Sequence, residues 1–411
     1  MKELKFIHAA DLHIGSPISA QIHGSDYIKD IIRECIHQSI TRMVRDAIDR
    51  KVDFVILAGD LFDDENRSVK GQLWLREEFL KLKEADIKVY IVFGNHDPLD
   101  SRFAPVTWPD NVYVFPSAST VMTLEKDKLP VANLYGCSYP KKAVTENLAA
   151  SYKKEDEPCF HIGILHGQER SLDSHAPYAP FTVKELSEKG MDYWALGHIH
   201  TRQSLHPSIH YPGNIQGRNK KETGQKGYLF VELKESQDPE VTFCSSAPVQ
   251  FVNVTLSVTD CKSVDEIINK FWTKMKMNVL EEVKVYLVSL CLTGTGAISS
   301  HLSEEQVVEE MKDVINTLGE TDKPFLQVIG VENETNLEWD KAALAREGHF
   351  LGDVFKAGEV LKNDAESIWE EWEELFSHPK ARKFITKPDK DESREIIEKA
   401  EKLLGDAWMK E

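Results

Sequence analysis

The chain has 411 residues, of which 41% are hydrophobic and 29% charged, so it can build ample core and is longer than one ordinary domain. No apolar run reaches the roughly 18 residues that a membrane span needs, which argues against an integral membrane protein. A formal net charge of −18 argues against a protein that holds nucleic acid by a basic surface alone, although the sum can hide a local basic patch or bound cations.

The N-terminal part is predicted to alternate strands and helices. Apolar runs predict strands at 5–10, 55–58 and 89–93, and apolar residues at helical spacing predict helices over about 27–50 and 70–85. This order of elements implies that the three strands pair in parallel. Strand-like sequence begins at once, without a signal-peptide core before it, and we therefore expect a cytoplasmic protein.

Further strands follow before the texture of the sequence changes near residue 247. They are predicted at 112–115, 133–136, 161–165, 193–196, 228–233 and 241–244, with a helix at 182–188. After the change, the predicted strands are 249–256, 284–292 and 325–331, and the predicted helices are 263–275 and 303–318. Beyond residue 333 the sequence is helical and rich in Glu and Lys. These changes predict three domains, at 1–245, 246–335 and 336–411.

Metal-ligating side chains follow five of the predicted strands at the same end. They are Asp11 and His13, Asp60, Asn95, His166, and His198 with His200. Open α/β sheets bind ligands at the carboxyl ends of their strands, and imidazole and carboxylate without thiolate suit Mn²⁺, Fe²⁺ or Zn²⁺ better than Ca²⁺. A site for two cations bridged by Asp60 would use both His198 and His200, one for each ion. Asp11 and His13 can face one ion only if the backbone bends between them.

The order of these motifs resembles that of the calcineurin-like metallophosphoesterases. The motifs are Asp11-x-His13, Gly59-Asp60-x-x-Asp63, Gly94-Asn95-His96-Asp97, His166 and Gly197-His198-x-His200. Within this family, the stretches 8–15, 58–63 and 211–214 resemble the SbcD-type DNA repair exonucleases and their YhaO-like bacterial branch. The resemblance implies an α/β fold: a four-layer metallophosphoesterase β-sandwich flanked by helices, with a small α/β capping domain and a helical C-terminal tail.

The resemblance also implies roles for individual residues. One ion would be held by Asp11, His13, Asp60 and His200, and the other by Asp60, Asn95, His166 and His198. His96 would contact the scissile phosphate and protonate or stabilise the leaving oxygen, and Asp97 would fix the tautomer of His96. Asp63 is expected to support the ligands rather than to bind an ion. The implied metal is Mn²⁺, with Fe²⁺, Mg²⁺ and Zn²⁺ as alternatives.

Two other segments are candidates for contacts with partners. Arg218, Lys220 and Lys221 lie in a glycine-rich loop and could contact DNA phosphates, or the loop could be plain surface. In the tail, Trp369, Trp372 and Phe376 share one helical face, as do several apolar residues between 396 and 408. These faces dock onto the chain's own domains or, as the resemblance implies, bind an SMC-like (SbcC/YhaN-type) ATPase. A homodimer through the early helices is a further option that the sequence does not decide.

The sequence therefore predicts a two-metal phosphodiesterase that acts on DNA as an exonuclease or endonuclease in DNA repair. Two alternatives stay open. A phosphatase or a phosphodiesterase for cyclic nucleotides or other small molecules has the same chemistry and fits the acidity, but it does not need the C-terminal third. A non-catalytic scaffold on this fold usually lacks a metal ligand, and none is missing from the motifs.

Overall fold

The computed structural model describes most of the chain. The described residues are 3–20, 22, 25–63, 68–101, 104, 106–171, 178–276, 279–320, 323–337, 341–346, 348–364, 367–378 and 385–408. Within these ranges, no helix combines the length and the apolar composition that crossing a membrane requires.

The described strands are, in chain order, β1 (Glu3–Ala9), β2 (Phe54–Ala58), β3 (Lys88–Val92), β4 (Val112–Val114), β5 (Thr120–Lys126), β6 (Leu129–Gly136), β7 (Phe160–His166), β8 (Tyr193–Gly197), β9 (Gln203–His206), β10 (Ile209–Tyr211), β11 (Gly227–Lys234), β12 (Glu240–Ser245), β13 (Val249–Ser257), β14 (Val285–Thr295) and β15 (Phe325–Asn336). The described α-helices are α1 (Asp26–Arg33), α2 (Cys35–Asp49), α3 (Val69–Glu84), α4 (Val183–Glu188), α5 (Val264–Lys276), α6 (Ser299–Leu302), α7 (Glu305–Gly319), α8 (Lys341–Leu344), α9 (Phe350–Asn363), α10 (Glu373–Ser377) and α11 (Lys390–Trp408). Short 3₁₀ helices lie at Leu148–Ser151 and Ser367–Trp372.

The chain divides into two compact units. Unit 1 contains Met1–Asn253, Asn278–Ser289 and Ile315–Gly330, and unit 2 contains Val254–Met277, Leu290–Val314 and Val331–Glu411. This division does not test the three domains predicted from the sequence, which stay a prediction.

The first sheet of unit 1 has the strand order β12-β11-β1-β2-β3-β4. Strands β1, β2 and β3 pair in parallel, as predicted, with Ile56 of β2 opposite His8 on one side and Tyr90 on the other. On the far side of β1, β11 runs antiparallel and pairs in turn with β12. Helices α1, α2 and α3, which connect the parallel strands, cover one face of this sheet.

The second sheet of unit 1 has the order β5-β6-β7-β8-β10-β9, with β6, β7 and β8 parallel. The sequence did not predict β5, β9 or β10. Strand β5 is half-exposed along most of its length, and β9 and β10 have only four and three residues, so none of them carries a clear apolar run.

The two sheets face each other across a shared apolar core. Alternate residues of the first sheet, such as Phe6 and Phe54, pack in one cluster with Leu134 and Ile162 of the second sheet. The residues that point to the other face of the first sheet, including Val55 and Leu57, pack against helices α1, α2 and α3. Residues on the outer face of the second sheet pack against helix α4 and the 3₁₀ helix at Leu148–Ser151. The result is a four-layer sandwich, which confirms the predicted fold class.

Some helix boundaries differ from the prediction. The single helix predicted at 27–50 is two helices, α1 and α2, because Glu34 leaves helical geometry with φ −98° and ψ 5°. The helix predicted at 303–318 is α7, preceded by the short α6. The segment 368–376 is a 3₁₀ turn followed by α10 rather than one α-helix.

A helical C-terminal region is present, as predicted. A third sheet, with the order β13-β14-β15, precedes it in the chain. Within unit 2, α11 packs on α9, and Glu401 of α11 accepts hydrogen bonds from Lys341 and Lys362, each at 2.8 Å. Buried Ser393, Ile397 and Glu401 lie one turn apart and form the contact face of α11.

Candidate metal centre

The candidate ligands lie where parallel strands of both sheets end. Asp11 follows β1, Asp60 follows β2 and Asn95 follows β3, while His166 ends β7 and His198 follows β8. Strand β2 contacts both β7 and β8, so these strand ends lie at one edge of the sandwich. The α/β topology thus brings together side chains that are far apart in the sequence.

The backbone bends sharply at four residues that follow these strands. Non-glycine residues Asp11, His13, Asp60 and His198 have φ of 53°, 47°, 51° and 101°, in the left-handed region. The bend that Asp11 and His13 need to face one point is therefore present. Each non-glycine residue in this conformation lowers the stability of the fold by about 1–3 kcal/mol, and such strained residues are typical of functional sites.

Backbone hydrogen bonds hold the bent segments against one another. The amides of Asp11, His13 and Ile14 donate to the carbonyls of Gly59, Asp60 and Leu61, at 3.0, 3.0 and 2.9 Å. The strain is therefore supported by a ladder that continues the pairing of β1 with β2 beyond the regular strands.

The first group of ligand atoms comes from Asp11, His13 and His200. One atom from each lies within 4.8 Å of the others. The Nε2 atoms of His13 and His200 are 3.2 Å apart and face the same point. Both carboxylate oxygens of Asp11 also accept from the amide of His198, at 3.2 and 3.1 Å.

The second group contains Asp60, His166 and His198, whose ligand atoms also lie within 4.8 Å of one another. Asn95 completes it, because its Oδ1 is 3.0 Å from Nε2 of His166 and 3.1 Å from Nδ1 of His198. The Nδ1 of His166 donates to the carbonyl of Ala58 at 2.9 Å, which leaves Nε2 facing the group. The seven predicted ligands therefore lie in two groups, with Asp60 in the second, while its place in the first group and the role of all seven as ligands stay predictions.

Two glycines leave the space that the ligand side chains fill. A Cβ on Gly94 would lie 2.3 Å from Oδ1 of Asp60 and 2.7 Å from Nε2 of His166. A Cβ on Gly197 would lie 1.8 Å from the carbonyl oxygen of Ala58. Any larger residue would move the groups that hold the site together.

The electrostatics of the second group suit a cation. Burial favours a higher pKa for the Asp60 carboxyl, but the charge and hydrogen bond of His166 outweigh burial and hold that pKa well below its usual range. Burial opposes protonation of His166, but Asp60 raises the pKa of His166 to about 9. A cation that binds Nε2 of His166 would displace this proton.

The histidines His13 and His198 are suited to bind metal as they stand. Burial lowers the pKa of His13, and burial together with the neighbouring His166 lowers the pKa of His198 to about 3. Both imidazoles are thus neutral near pH 7, as metal ligands must be. The nitrogen and oxygen donor set, the strained backbone and the glycine spaces together fit two divalent cations.

Asp63 is a carboxylate that contacts His96. Asp63 Oδ1 lies 3.0 Å from Nδ1 of His96 and 3.0 Å from Nδ1 of His13. Asp97, which was predicted to fix the tautomer of His96, is fully buried and accepts from the amides of Leu61, at 2.7 Å, and Gly94, at 2.9 Å. Asp63 thus contacts His96, and Asp97 shapes the turn that carries His96, while the role predicted for Asp97 stays a prediction.

Asp63 also sets the charge of its neighbours. Its hydrogen bond is the main cause that raises the pKa of His96. Burial acts to raise the pKa of Asp63, but hydrogen bonds from His13 and His96 hold it well below its usual range. Asp63 also shares a possible metal-binding group with His13 and His96, so the expectation that it supports the ligands rather than binds an ion stays a prediction.

In the basic loop after β10, one basic side chain lies inside the site and two are exposed to solvent. Arg218 is 16% exposed and pairs with Asp63 at 3.5 Å and with Glu222 at 3.4 Å, so it belongs to the interior of the site. Lys220 and Lys221 are exposed and stay candidates for contacts with DNA. Sequence reasoning missed Glu222, which lies 2.9 Å from Nδ1 of His200, since a lone acidic residue after two lysines gives no signal.

Proteins that are similar to this chain include a metallophosphoesterase and a DNA repair protein. The model of the calcineurin-like phosphoesterase family matches residues 4–202. The metallophosphoesterase YhaO of Bacillus subtilis, described as uncharacterized, is 35% identical over 98% of this chain and 98% of its own. The DNA double-strand break repair protein Mre11 of Methanocaldococcus jannaschii is 27% identical over 65% of this chain and 73% of its own.

Among solved structures, a dimetal phosphatase from Danio rerio matches with 12% identity and a TM-score of 0.33, over 59% of this chain and 100% of its own. This likeness is too remote to bear on the function.

Proposed function

The chain belongs to the calcineurin-like phosphoesterase family, and from that premise we propose that it is a two-metal phosphodiesterase that cleaves DNA as an exonuclease or endonuclease. The observation that carries this proposal is the position of His96. Its side chain is 37% exposed, whereas those of Asp60 and His166 are 1% and 0% exposed. His96 is thus open to a substrate phosphate that approaches from solvent beside the two ligand groups, more so than His200, whose side chain is 27% exposed.

The residues of the site have distinct tasks in this proposal. Asp11, His13, Asp60 and His200 would hold one cation, and Asp60, Asn95, His166 and His198 the other. When bound, two divalent cations neutralise charge on the phosphoryl oxygens and acidify a water for in-line attack. We infer that Mn²⁺ is the physiological metal, with Fe²⁺, Mg²⁺ and Zn²⁺ as alternatives.

His96 would act on the leaving group. With Nδ1 against Asp63, its Nε2 is available to a substrate oxygen, and the Asp63 carboxylate stabilises the protonated imidazole. His96 can then hold a proton at Nε2 and pass it to the leaving oxygen. The hydrogen bonds of Asp97 to the backbone fix the turn that carries His96, so Asp97 would help to position His96 for this step.

DNA is the substrate that we propose for three reasons. The relative from Methanocaldococcus jannaschii is a DNA double-strand break repair protein, the motifs resemble those of DNA repair exonucleases, and Lys220 and Lys221 are exposed beside the site. The net charge of −18 opposes tight binding of DNA by this chain alone. A partner that contributes affinity for DNA would resolve this conflict.

We further propose that this partner is an SMC-like ATPase of the SbcC/YhaN type, bound through the C-terminal helices in the cytoplasm. Trp372 of the 3₁₀ turn is 54% exposed, and Ile396, Leu403 and Leu404 of α11 are 42%, 71% and 45% exposed. Of the apolar residues predicted for α11, Ile397 is buried within unit 2, so only the others are accessible to a partner. A homodimer through the early helices, where Tyr27 is 68% exposed, is a second assembly to test.

The proposed activity is tested by Mn²⁺-dependent cleavage of linear duplex DNA, single-stranded DNA and bis-p-nitrophenyl phosphate, with His96→Ala as the control. We expect all three substrates to be hydrolysed, and the variant to lose activity while it keeps its metal. Hydrolysis of the small ester alone would favour a small-molecule phosphodiesterase or a requirement for the partner. Loss of metal in the variant would contradict the role of His96, and inactivity on every substrate would favour a scaffold.

A further inference from the structure

The segment after β10, from Gly213 to Lys226, holds His200 at three points. Lys226 Nζ donates to the carbonyl of His200 at 2.7 Å, and the amide of Asn214 donates to the same oxygen at 3.4 Å. Oε1 of Glu222 lies 2.9 Å from Nδ1 of the His200 ring. Both the main chain and the imidazole of this candidate ligand are therefore fixed by residues that are not ligands themselves.

Glu222 is built into this position by four donors. Its Oε1 accepts from Nδ1 of His200 and from Arg218 Nη2, at 2.9 and 3.4 Å. Its Oε2 accepts from Asn214 Nδ2 and from the amide of Arg218, at 2.8 and 2.7 Å. The side chain is 11% exposed, so the carboxylate is held in one orientation.

His13, the other histidine of the same group, is held in the same way. Its Nδ1 is 3.0 Å from the carboxylate of Asp63, and its Nε2 faces Nε2 of His200 at 3.2 Å. A carboxylate at Nδ1 keeps the proton on that nitrogen, so the lone pair lies on Nε2. Glu222 and Asp63 thus act as a matched pair behind two imidazoles that point at one place.

We propose that Glu222 is a positioning residue of the metal centre: it holds the imidazole of His200 so that Nε2 is presented to the cation of the Asp11, His13 and His200 group. This inference rests on the proposed function, because it assumes that this group binds a cation. It assigns to the segment 213–226 a task inside the site, in addition to any contact of its lysines with DNA.

Arg218 connects this positioning residue with the rest of the site. Its Nη1 is 3.5 Å from Oδ2 of Asp63 and 3.1 Å from Oγ of Ser16, and its Nη2 is 3.4 Å from Oε1 of Glu222. One guanidinium therefore lies between the carboxylates behind His13 and His200, and it offsets the repulsion between them. Arg218 is committed to these contacts and is a weaker candidate for binding DNA than the lysines beside it.

The competing explanation is that Glu222 only stabilises its own loop, since it also accepts from Asn214 and Arg218. The two explanations differ in whether the effect of Glu222 passes through His200. Glu222→Gln keeps the size of the side chain, but it removes the charge and puts donors opposite donors. If Glu222 acts through His200, the substitution matters only while His200 is present.

The test is calorimetric titration of Mn²⁺ into the full chain, as wild type, Glu222→Gln, His200→Gln and the double variant. We expect two bound ions in the wild type, and a loss of affinity of about 10–100-fold at one of them in Glu222→Gln. In the His200→Gln background, Glu222→Gln should change the affinity of the remaining ion by less than about twofold. An equal loss in both backgrounds, or no loss in the wild-type background, would overturn the inference.

Control variants separate this result from loss of folding and from failure of the proposed function. Glu240→Gln, whose parent side chain is 65% exposed, should bind Mn²⁺ like the wild type. If Glu222→Gln does not fold, Glu222→Asp retains the charge one methylene further from His200 and should also bind one ion more weakly. An unchanged affinity in that variant would equally overturn the inference. A wild-type chain that binds no Mn²⁺ would instead refute the proposed function.

Discussion

Gly94 limits the metal centre at the residue scale. A methyl group at this position would collide with Oδ1 of Asp60 and Nε2 of His166, which both belong to the second ligand group. Neither side chain can withdraw freely, because Asp60 also accepts from the amide of His96 at 2.9 Å and His166 donates to Ala58. The collision must therefore move the ligands.

We expect Gly94→Ala to weaken the binding of Mn²⁺ by about 10–100-fold. Overpacking a tight site costs roughly 1–3 kcal/mol, and a loss of binding free energy of that size lowers the affinity by about this factor. Calorimetric titration measures the affinity, and the melting temperature without metal reports the general loss of stability. Gly330→Ala is the matched control, since nothing lies within 4 Å of a Cβ built there. Equal affinities in the two variants would show that the close approach at Gly94 does not matter.

Single residues differ in how far the sequence predicts them. The candidate ligands could be found because each follows an apolar strand, and parallel strands bring their ends together. The pairing of His96 with Asp63 could not, since Asp97 is nearer in sequence and the left-handed turns at Asp11 and Asp60 set the orientation. Glu222 was missed because a lone acidic residue gives no signal in the sequence, and its contact with His200 exists only after the loop folds back.

Three helices of unit 2 share one buried carboxylate. Glu401 of α11 is 6% exposed and pairs with Lys341 of α8 and Lys362 of α9, each at 2.8 Å. Gly358 of α9 allows this approach, because a Cβ there would lie 2.0 Å from Oε1 of Glu401. A single side chain thus joins three helices.

We expect Glu401→Ala to lower the free energy of unfolding of these helices by about 1–3 kcal/mol, because the two lysines lose their shared partner but remain partly solvated. Urea unfolding followed by far-ultraviolet circular dichroism measures this change. Glu398→Ala, in the same helix but with a parent side chain that is 66% exposed, should change it by less than about 0.5 kcal/mol. The role given to Glu401 would be wrong if both variants unfolded at the same urea concentration.

Helices and strands can be predicted from the pattern of apolar residues where these elements are buried. Strands β1, β2, β3, β7 and β8 were found because nearly every residue in them is buried, and apolar runs of this length are typical of covered parallel strands. Strand β5 and the break between α1 and α2 were missed because local geometry at exposed residues decides them.

The net charge is the property of the whole molecule that most constrains its function. A chain with a charge of −18 repels DNA over distances comparable to the Debye length of about 10 Å, so positive charge at the site must be local or supplied by a partner. The metal ions, the exposed Lys220 and Lys221, and an ATPase partner are the three sources in this account.

We expect deletion of the residues from about 336 onwards to abolish association with the SMC-like ATPase and to spare metal-dependent hydrolysis of bis-p-nitrophenyl phosphate. The candidate ligands all precede the deletion, and the exposed apolar residues of α11 lie within it. Co-elution on size-exclusion chromatography measures association and shows whether the chain alone forms dimers. Leu403→Glu tests the same surface without removing helices, and undiminished association of the truncated chain would refute the proposed interface.

The central claim is that two cations bind at the strand ends, and anomalous diffraction from crystals containing Mn²⁺ tests it most directly. We predict two anomalous peaks about 3.5–4 Å apart. One should lie among Asp11, His13 and His200 and the other among Asn95, His166 and His198, with Asp60 in contact with both. A single peak, or peaks away from these residues, would contradict the two-metal account.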